Sequence, residues 1–212
     1  MNKELQKYIE TMIIPKYSDF DKGHNLEHVK TVIDESLNLA EKCGVNLEYA
    51  YVIAAYHDLG LCEGREFHHI TSGKILEADS VLNQWFLPDE IKLMKEAVED
   101  HRASSKHPPR SIYGKIVAEA DRDIVPLKII KRTIQYSMKN TPSDDKEVHW
   151  RHLTEHMAEK YAKGGYMKLW FEDSKNAEPL NELRKIIADK NKLRNIFEDL
   201  YSKELSQQYL EQ

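Results

Sequence analysis

Cysteine is nearly missing from this chain, with only Cys43 and Cys62 among 212 residues. They form no CxxC pair and no other zinc-type spacing, which speaks against a disulfide framework and against thiolate metal chemistry. Each falls in an apolar stretch, so each is expected to be a small core residue. Glycine and proline are also scarce, at 8 and 7 residues. Runs of alternating β-branched residues are lacking, which leaves little from which to build a sheet. No stretch approaches the ~18 apolar residues of a membrane span. The first ten residues, MNKELQKYIE, are charged and lack the apolar run of a signal peptide. A soluble cytoplasmic protein with no membrane partner is the expectation. A basic excess is lacking too. The net charge is −5, with both signs interspersed, so there is no general field to attract DNA or RNA. An acidic protein that handles phosphates must gather positive charge locally, through metal ions or a few Arg and Lys.

Helical periodicity is what the chain does have. Residues 26–43 place Val29, Val32, Ile33, Ser36, Leu37, Ala40 and Cys43 on one stripe, and Gly44 follows as a stop. Residues 47–59 are almost wholly apolar, as in a helix buried within a bundle. Residues 68–84 and 88–101 read as two further helices, the second opened by Pro88. The Pro108-Pro109 pair makes a loop of residues 104–111. A helix over 111–125 follows, interrupted by Pro126. Residues 140–148, which include Pro142, make another connection. The remainder is helical, with breaks at Gly164-Gly165 and near Pro179. These features predict an all-α, single-domain helical bundle: a core over residues 1–140 and a helical extension over 141–212 packed on it. A broad apolar stripe over 180–201 completes that core or, as the alternative, forms the face of a homodimer.

Several chemistry-bearing side chains fall on the inward stripes. His57 and Asp58 stand near the end of the most apolar helix, one turn after Ile53 and Ala54. A buried carboxylate needs a partner, and a cation shared with the adjacent imidazole is one. A C-terminal His beside a surface Asp is the plainer reading of that dipeptide alone. His28 lies on the shoulder of the first stripe, where a hydrogen-bonded core His is the commoner case. His101 continues the stripe Ile91, Met94, Val98, and Asp121 continues Val117 and Ala120. A salt bridge to Arg122 or Lys115 is the plainer role for Asp121, but those side chains point elsewhere on the helix. His69 precedes Gly73 and Leu76. Together these residues supply the mixed N/O ligand set that suits Mn, Fe, Ni or Zn.

The stretches GHNLEHVKTV, AAYHDLG, HHITSGKIL, AVEDHR and IVAEADRDI occur in that order over residues 24–124. In this the chain resembles the HD domain superfamily, whose signature is H…HD…D. The resemblance implies an all-α fold and a metal held by His28, His57, Asp58 and Asp121. By position, His69 and His101 match the extra ligands of two-metal members, with Asp58 bridging the two ions; one or two divalent ions are thus expected. His68 competes with His69, which the step to Gly73 favours. The implied activity is hydrolysis of a small, nucleotide-like phosphate ester by a metal-activated water. Arg65 and Arg102 are candidate phosphate clamps, and Glu63 is a candidate general acid or base. For all three, a solvated loop charge is the competing reading. Arg122 follows the last ligand in an ADRD stretch and joins the candidate substrate contacts. His24 caps its helix or lines the pocket. His149, His152 and His156 share one helical face, as polar packing or as a wall for substrate, with His152 the candidate contact. The rival readings are an HD-type diiron oxygenase and a non-catalytic metal- or nucleotide-binding regulatory module.

Overall fold

The structure, a computed structural model, describes residues 1–21, 23–141 and 143–210. Among them are ten α-helices and no strand. They fall into two compact units, Met1–Arg122 and Asp123–Gln212.

In the first unit, α1 (Lys3–Tyr8) is capped by Asn2, whose side chain accepts from the N–H groups of Glu4 and Leu5. A π-helical turn (Ile9–Ile13) and a 3-10 turn (Ile14–Asp19) continue it. Helix α2 (Leu26–Cys43) begins where the Asn25 side chain accepts from the N–H groups of Glu27 and His28. It ends at Gly44, whose φ of 65° is the left-handed conformation that glycine adopts without strain. Helix α3 (Leu47–Tyr56) is buried from Ala50 to Tyr56 and packs against α2, α4 (His68–Ala78), α5 (Pro88–Glu99) and α6 (Ile112–Ala120). An all-round apolar helix belongs at the centre of such a bundle. A 3-10 turn, Leu59–Glu63, links α3 to α4.

Two sequence expectations fail here. Cys43 and Cys62 are exposed, not buried. Cys43 is the last residue of α2, past the turns that meet the core, and Cys62 lies in the 3-10 turn. Residues 68–84 are not one helix. The chain leaves α4 at Asp79 and forms a 3-10 turn over Ser80–Gln84. The Asp79 carboxylate accepts from the backbone of Val81 and from the hydroxyls of Tyr8 and Tyr56, at 3.1, 2.6 and 2.5 Å. Such charge-assisted bonds compensate for the helical bonds lost there.

Gly60 sets how closely the turn after α3 approaches α4. A Cβ at this position would stand 2.2 Å from the His68 carbonyl oxygen and 2.5 Å from the Ser72 nitrogen, both backbone atoms. The Gly60 N–H donates to the Ser72 hydroxyl at 2.8 Å. Gly60→Ala is therefore expected to destabilise the fold by about 1–3 kcal/mol through overpacking. Urea unfolding monitored by circular dichroism measures this, and an unchanged midpoint would contradict the close approach.

The second unit contains α7 (Pro126–Asn140), α8 (Lys146–Lys160), α9 (Ala177–Ala188) and α10 (Lys190–Leu210). Pro126 opens α7, where its missing N–H costs nothing. Pro142 lies outside the described residues. The polar stretch near residue 140 joins α7 to α8 inside this unit, and α7 packs against α8, α9 and α10. Ile130, Ile134, Leu153, Met157, Leu183 and Phe197 form its buried interior. The apolar stripe of α9 and α10 is thus used within its own unit. None of the described helices is long and apolar enough to cross a membrane.

Candidate metal centre

Five helices of the first unit bring imidazoles and carboxylates together. Asn25 caps α2 and so fixes His28 in its first turn. His57 and Asp58 follow α3, and both are buried. His68 opens α4, His101 follows α5, and Asp121 caps the end of α6. Two groups result. In the first, His28 Nε2 lies 3.2 Å from His57 Nε2, 3.2 Å from Asp121 Oδ1 and 3.6 Å from Asp58 Oδ2. His57 Nε2 is 3.2 Å from Asp58 Oδ2 and 3.7 Å from Asp121 Oδ1. In the second, His68 Nε2 is 3.0 Å from His101 Nε2, and each of these atoms is 3.5 Å from Asp58 Oδ1. Asp58 therefore turns one oxygen to each group.

These groups fit a divalent cation. Ligand atoms about 2.0–2.2 Å from a common ion stand about 3.0–3.6 Å apart in tetrahedral or octahedral geometry. The ring tautomers fit as well. Nδ1 of His57 faces the Ala54 carbonyl at 2.7 Å, Nδ1 of His101 faces that of Val98 at 2.6 Å, and Nδ1 of His68 faces that of Arg65 at 2.8 Å. A carbonyl only accepts, so each Nδ1 carries the proton and each neutral ring keeps its lone pair on Nε2. Two such lone pairs 3.0–3.2 Å apart require a proton or a cation near them. The electrostatics agree. Burial opposes charge on His57, yet Asp58 and Asp121 raise its pKa well above the usual value. His28 is raised against the same opposition by its bonds to Asp121 and Asp58. Burial also works against ionised Asp58 and Asp121. The surrounding imidazoles nevertheless hold both carboxyls well below the usual range.

His68, not His69, joins His101, which corrects the expectation drawn from the step to Gly73. One residue is about 100° of helix rotation, so the two rings of the pair diverge. Burial, then the neighbouring His101 and Arg102, lower the His69 pKa to about 4. His24 stays outside both groups. Its Nδ1 lies 2.8 Å from Asp21 Oδ1, and its ring centre is 5.8 Å from that of His28. Arg65 is exposed, lies 3.4 Å from His24 Nε2 and pairs with the Asp21 carboxylate at 3.6 Å. Glu63 is exposed and accepts from the Thr71 hydroxyl at 3.4 Å. Arg102 is tied to the Ser104 hydroxyl and to the Glu66 carbonyl beside α4. Arg122, expected to contact substrate, is buried in an ion pair with Glu119 at 2.9 Å, so its guanidinium is committed inside the unit. His152 lines a cavity of the second unit.

The sequence reading missed Tyr17. Its buried hydroxyl donates to the Ala55 carbonyl at 3.1 Å and accepts from the Asp58 N–H at 3.2 Å, and its ring stacks beside His57. The signal was present: Leu5, Ile9, Ile13 and Tyr17 recur every four residues, and all are buried.

The sequence profile of the HD domain matches residues 25–124. No protein with a curated description matches significantly. Two solved structures are similar. One, described as a predicted HD superfamily hydrolase from an uncultured Thermotogales bacterium, is 18% identical. The match covers 73% of this chain and 86% of that one, with a TM-score of 0.48. The other, Bacillus subtilis YpgQ in complex with ADP, is 17% identical, with 92% and 95% covered and a TM-score of 0.56. The second likeness concerns the fold, and it agrees with the profile match and with the clustering of His28, His57, Asp58 and Asp121. Over residues 25–124, then, this chain is similar to the HD domain.

Proposed function

We propose that this protein is a metal-dependent phosphohydrolase acting on a small, nucleotide-like phosphate ester. One observation carries the reading: both oxygens of Asp58 and four imidazole Nε2 atoms converge in two adjoining groups. His28, His57, Asp58 and Asp121 would hold one divalent cation, and Asp58, His68 and His101 a second. Such ions acidify water and neutralise phosphate charge. The backbone carbonyls behind His57, His68 and His101 hold those rings in one tautomer and orientation. Tyr17 holds the backbone of Asp58. Arg65, with His24 beside it, is the candidate phosphate clamp, and Glu63 is the candidate proton carrier. The solved relative with ADP supports trying adenine nucleotides first.

The test is phosphate release from AMP, ADP and ATP by protein loaded separately with Mn, Zn, Ni or Fe. Release should fall to background with EDTA and return with one of these metals. Fully loaded protein that releases no phosphate from any of them would sink the hydrolase reading. Two bound irons with oxygen uptake would favour the oxygenase. Metal that stabilises the fold without any turnover would favour a binding module.

A further inference from the structure

Both imidazoles of the second metal group stand at helix ends. His68 is the first residue of α4, and His101 stands two residues past the end of α5. Helix ends fray, because their outermost backbone groups lack partners within the helix. Yet the Nε2 atoms of these two rings meet at 3.0 Å. Two arginines supply what the helices lack. Arg102, the residue after His101, donates to the Glu66 carbonyl and, through Nε, to the Ser104 hydroxyl at 2.9 Å. The carbonyl one residue earlier, that of Arg65, accepts from His68 Nδ1 at 2.8 Å. Arg102 thus ties the turn of His101 to the loop that orients His68.

Arg110 holds the same turn from another side. Its Nη2 donates to the Glu96 carbonyl at 2.7 Å and to the Glu99 carboxylate at 2.9 Å, both in the last turn of α5. Its Nε and its backbone N–H donate to the Asp100 carboxylate at 3.0 and 2.6 Å. A cation at a helix C-terminus also suits the helix dipole. Asp100 is buried directly before His101, and its other ion partner, His107, is 4.0 Å away. Asp100 also presses on α6, where a Cβ at Gly114 would stand 2.9 Å from its Oδ2. The end of α5 is therefore wedged between Arg110 and α6, and His101 leaves from that wedge. Among the described residues, neither arginine bonds to α2 or α3, the helices that position His28, His57 and Asp58.

We infer that Arg102 and Arg110 are positioning residues of the second metal group. They act on His68 and His101, not on substrate, and set the affinity of that group for a divalent cation while leaving the first group as it is. Metal bonds tolerate little displacement, since a ligand moved by ~0.5 Å no longer meets its ion. Loss of a supporting partner behind a ligand accordingly costs about 10–100-fold in metal affinity. The guanidinium of Arg102 is already spent on Glu66 and Ser104, which a phosphate clamp would have to release. The inference rests on the two-group reading of the metal centre and needs no turnover to be tested.

The test uses the full chain, stripped of metal and titrated with Zn. Calorimetry reads the two affinities, and the ring resonances of His68 and His101 report the second group by NMR. Arg102→Ala should weaken the second ion by at least tenfold and the first by less than twofold. Its melting temperature without metal should stay near that of the parent. Arg102→Lys should recover part of the loss, because an ammonium still reaches a carbonyl. Arg110→Ala alone leaves the buried Asp100 carboxylate without its main partner and is liable to unfold. The Asp100→Asn/Arg110→Ala double variant serves instead, with the same expected loss. Arg194→Ala breaks a comparable ion network with Glu147 and Glu198 in the second unit and should change neither affinity. A parent that binds only one ion overturns the second group and the inference together. A parent that binds two, with variants that keep both or lose both in proportion, overturns the inference alone.

Discussion

Asp58→Ala is expected to empty both metal groups at once. Phosphate release should fall on the order of 10³-fold, since the nucleophilic water and the neutralising charge both go. Among the described residues, no other contributes to both groups: Oδ2 faces His28 and His57, and Oδ1 faces His68 and His101. Removing the carboxylate also leaves four imidazoles around a void, so the apo fold is expected to weaken. Asp58→Asn separates the two effects. It keeps the shape and one acceptor oxygen but lacks the charge, so it should fold while binding little metal. Mass-spectrometric metal content beside the rate decides the matter. A variant that retains two ions, or a tenth of the activity, would remove Asp58 from its bridging position.

His68→Ala is expected to cost one ion of two and to slow turnover on the order of 10²-fold, as removal of one electrostatic stabiliser does. His69→Ala should leave both ions in place and the rate near that of the parent. The contrast is informative because the residues are adjacent and the substitutions remove the same ring. Nε2 of His68 lies 3.0 Å from that of His101, whereas His69 belongs to neither ligand group. Metal stoichiometry of the two variants reads the outcome, and a loss of metal in His69→Ala but not in His68→Ala would reverse the assignment.

Much of the centre was legible in the one-dimensional pattern. His57, His101 and Asp121 lie on or just beyond apolar stripes, so helical periodicity alone turned them inward. The all-α class followed from the same periodicity and from the scarcity of glycine and proline. The order of the five motifs over residues 24–124 carried the resemblance to the HD domain, whose profile matches residues 25–124. Periodicity was weaker at helix ends. It favoured His69 over His68, because α4 starts at His68 itself and no earlier turn sets the phase. Cys43 looked buried because the stripe was extended one turn beyond the packing that uses it.

What the sequence determined by itself is therefore the helical class, the likeness to the HD domain and the inward phase of most of the candidate ligands. These depend on local spacing, and local spacing is set by backbone geometry. Only the tertiary structure decided that Asp58 faces two groups, that His68 replaces His69, and that Arg122 is spent on Glu119. It also showed that Tyr17 reaches Asp58 across 41 residues. These are contacts between helices, fixed by close approaches such as Gly60 against α4, and no periodicity within one helix encodes the distance to another.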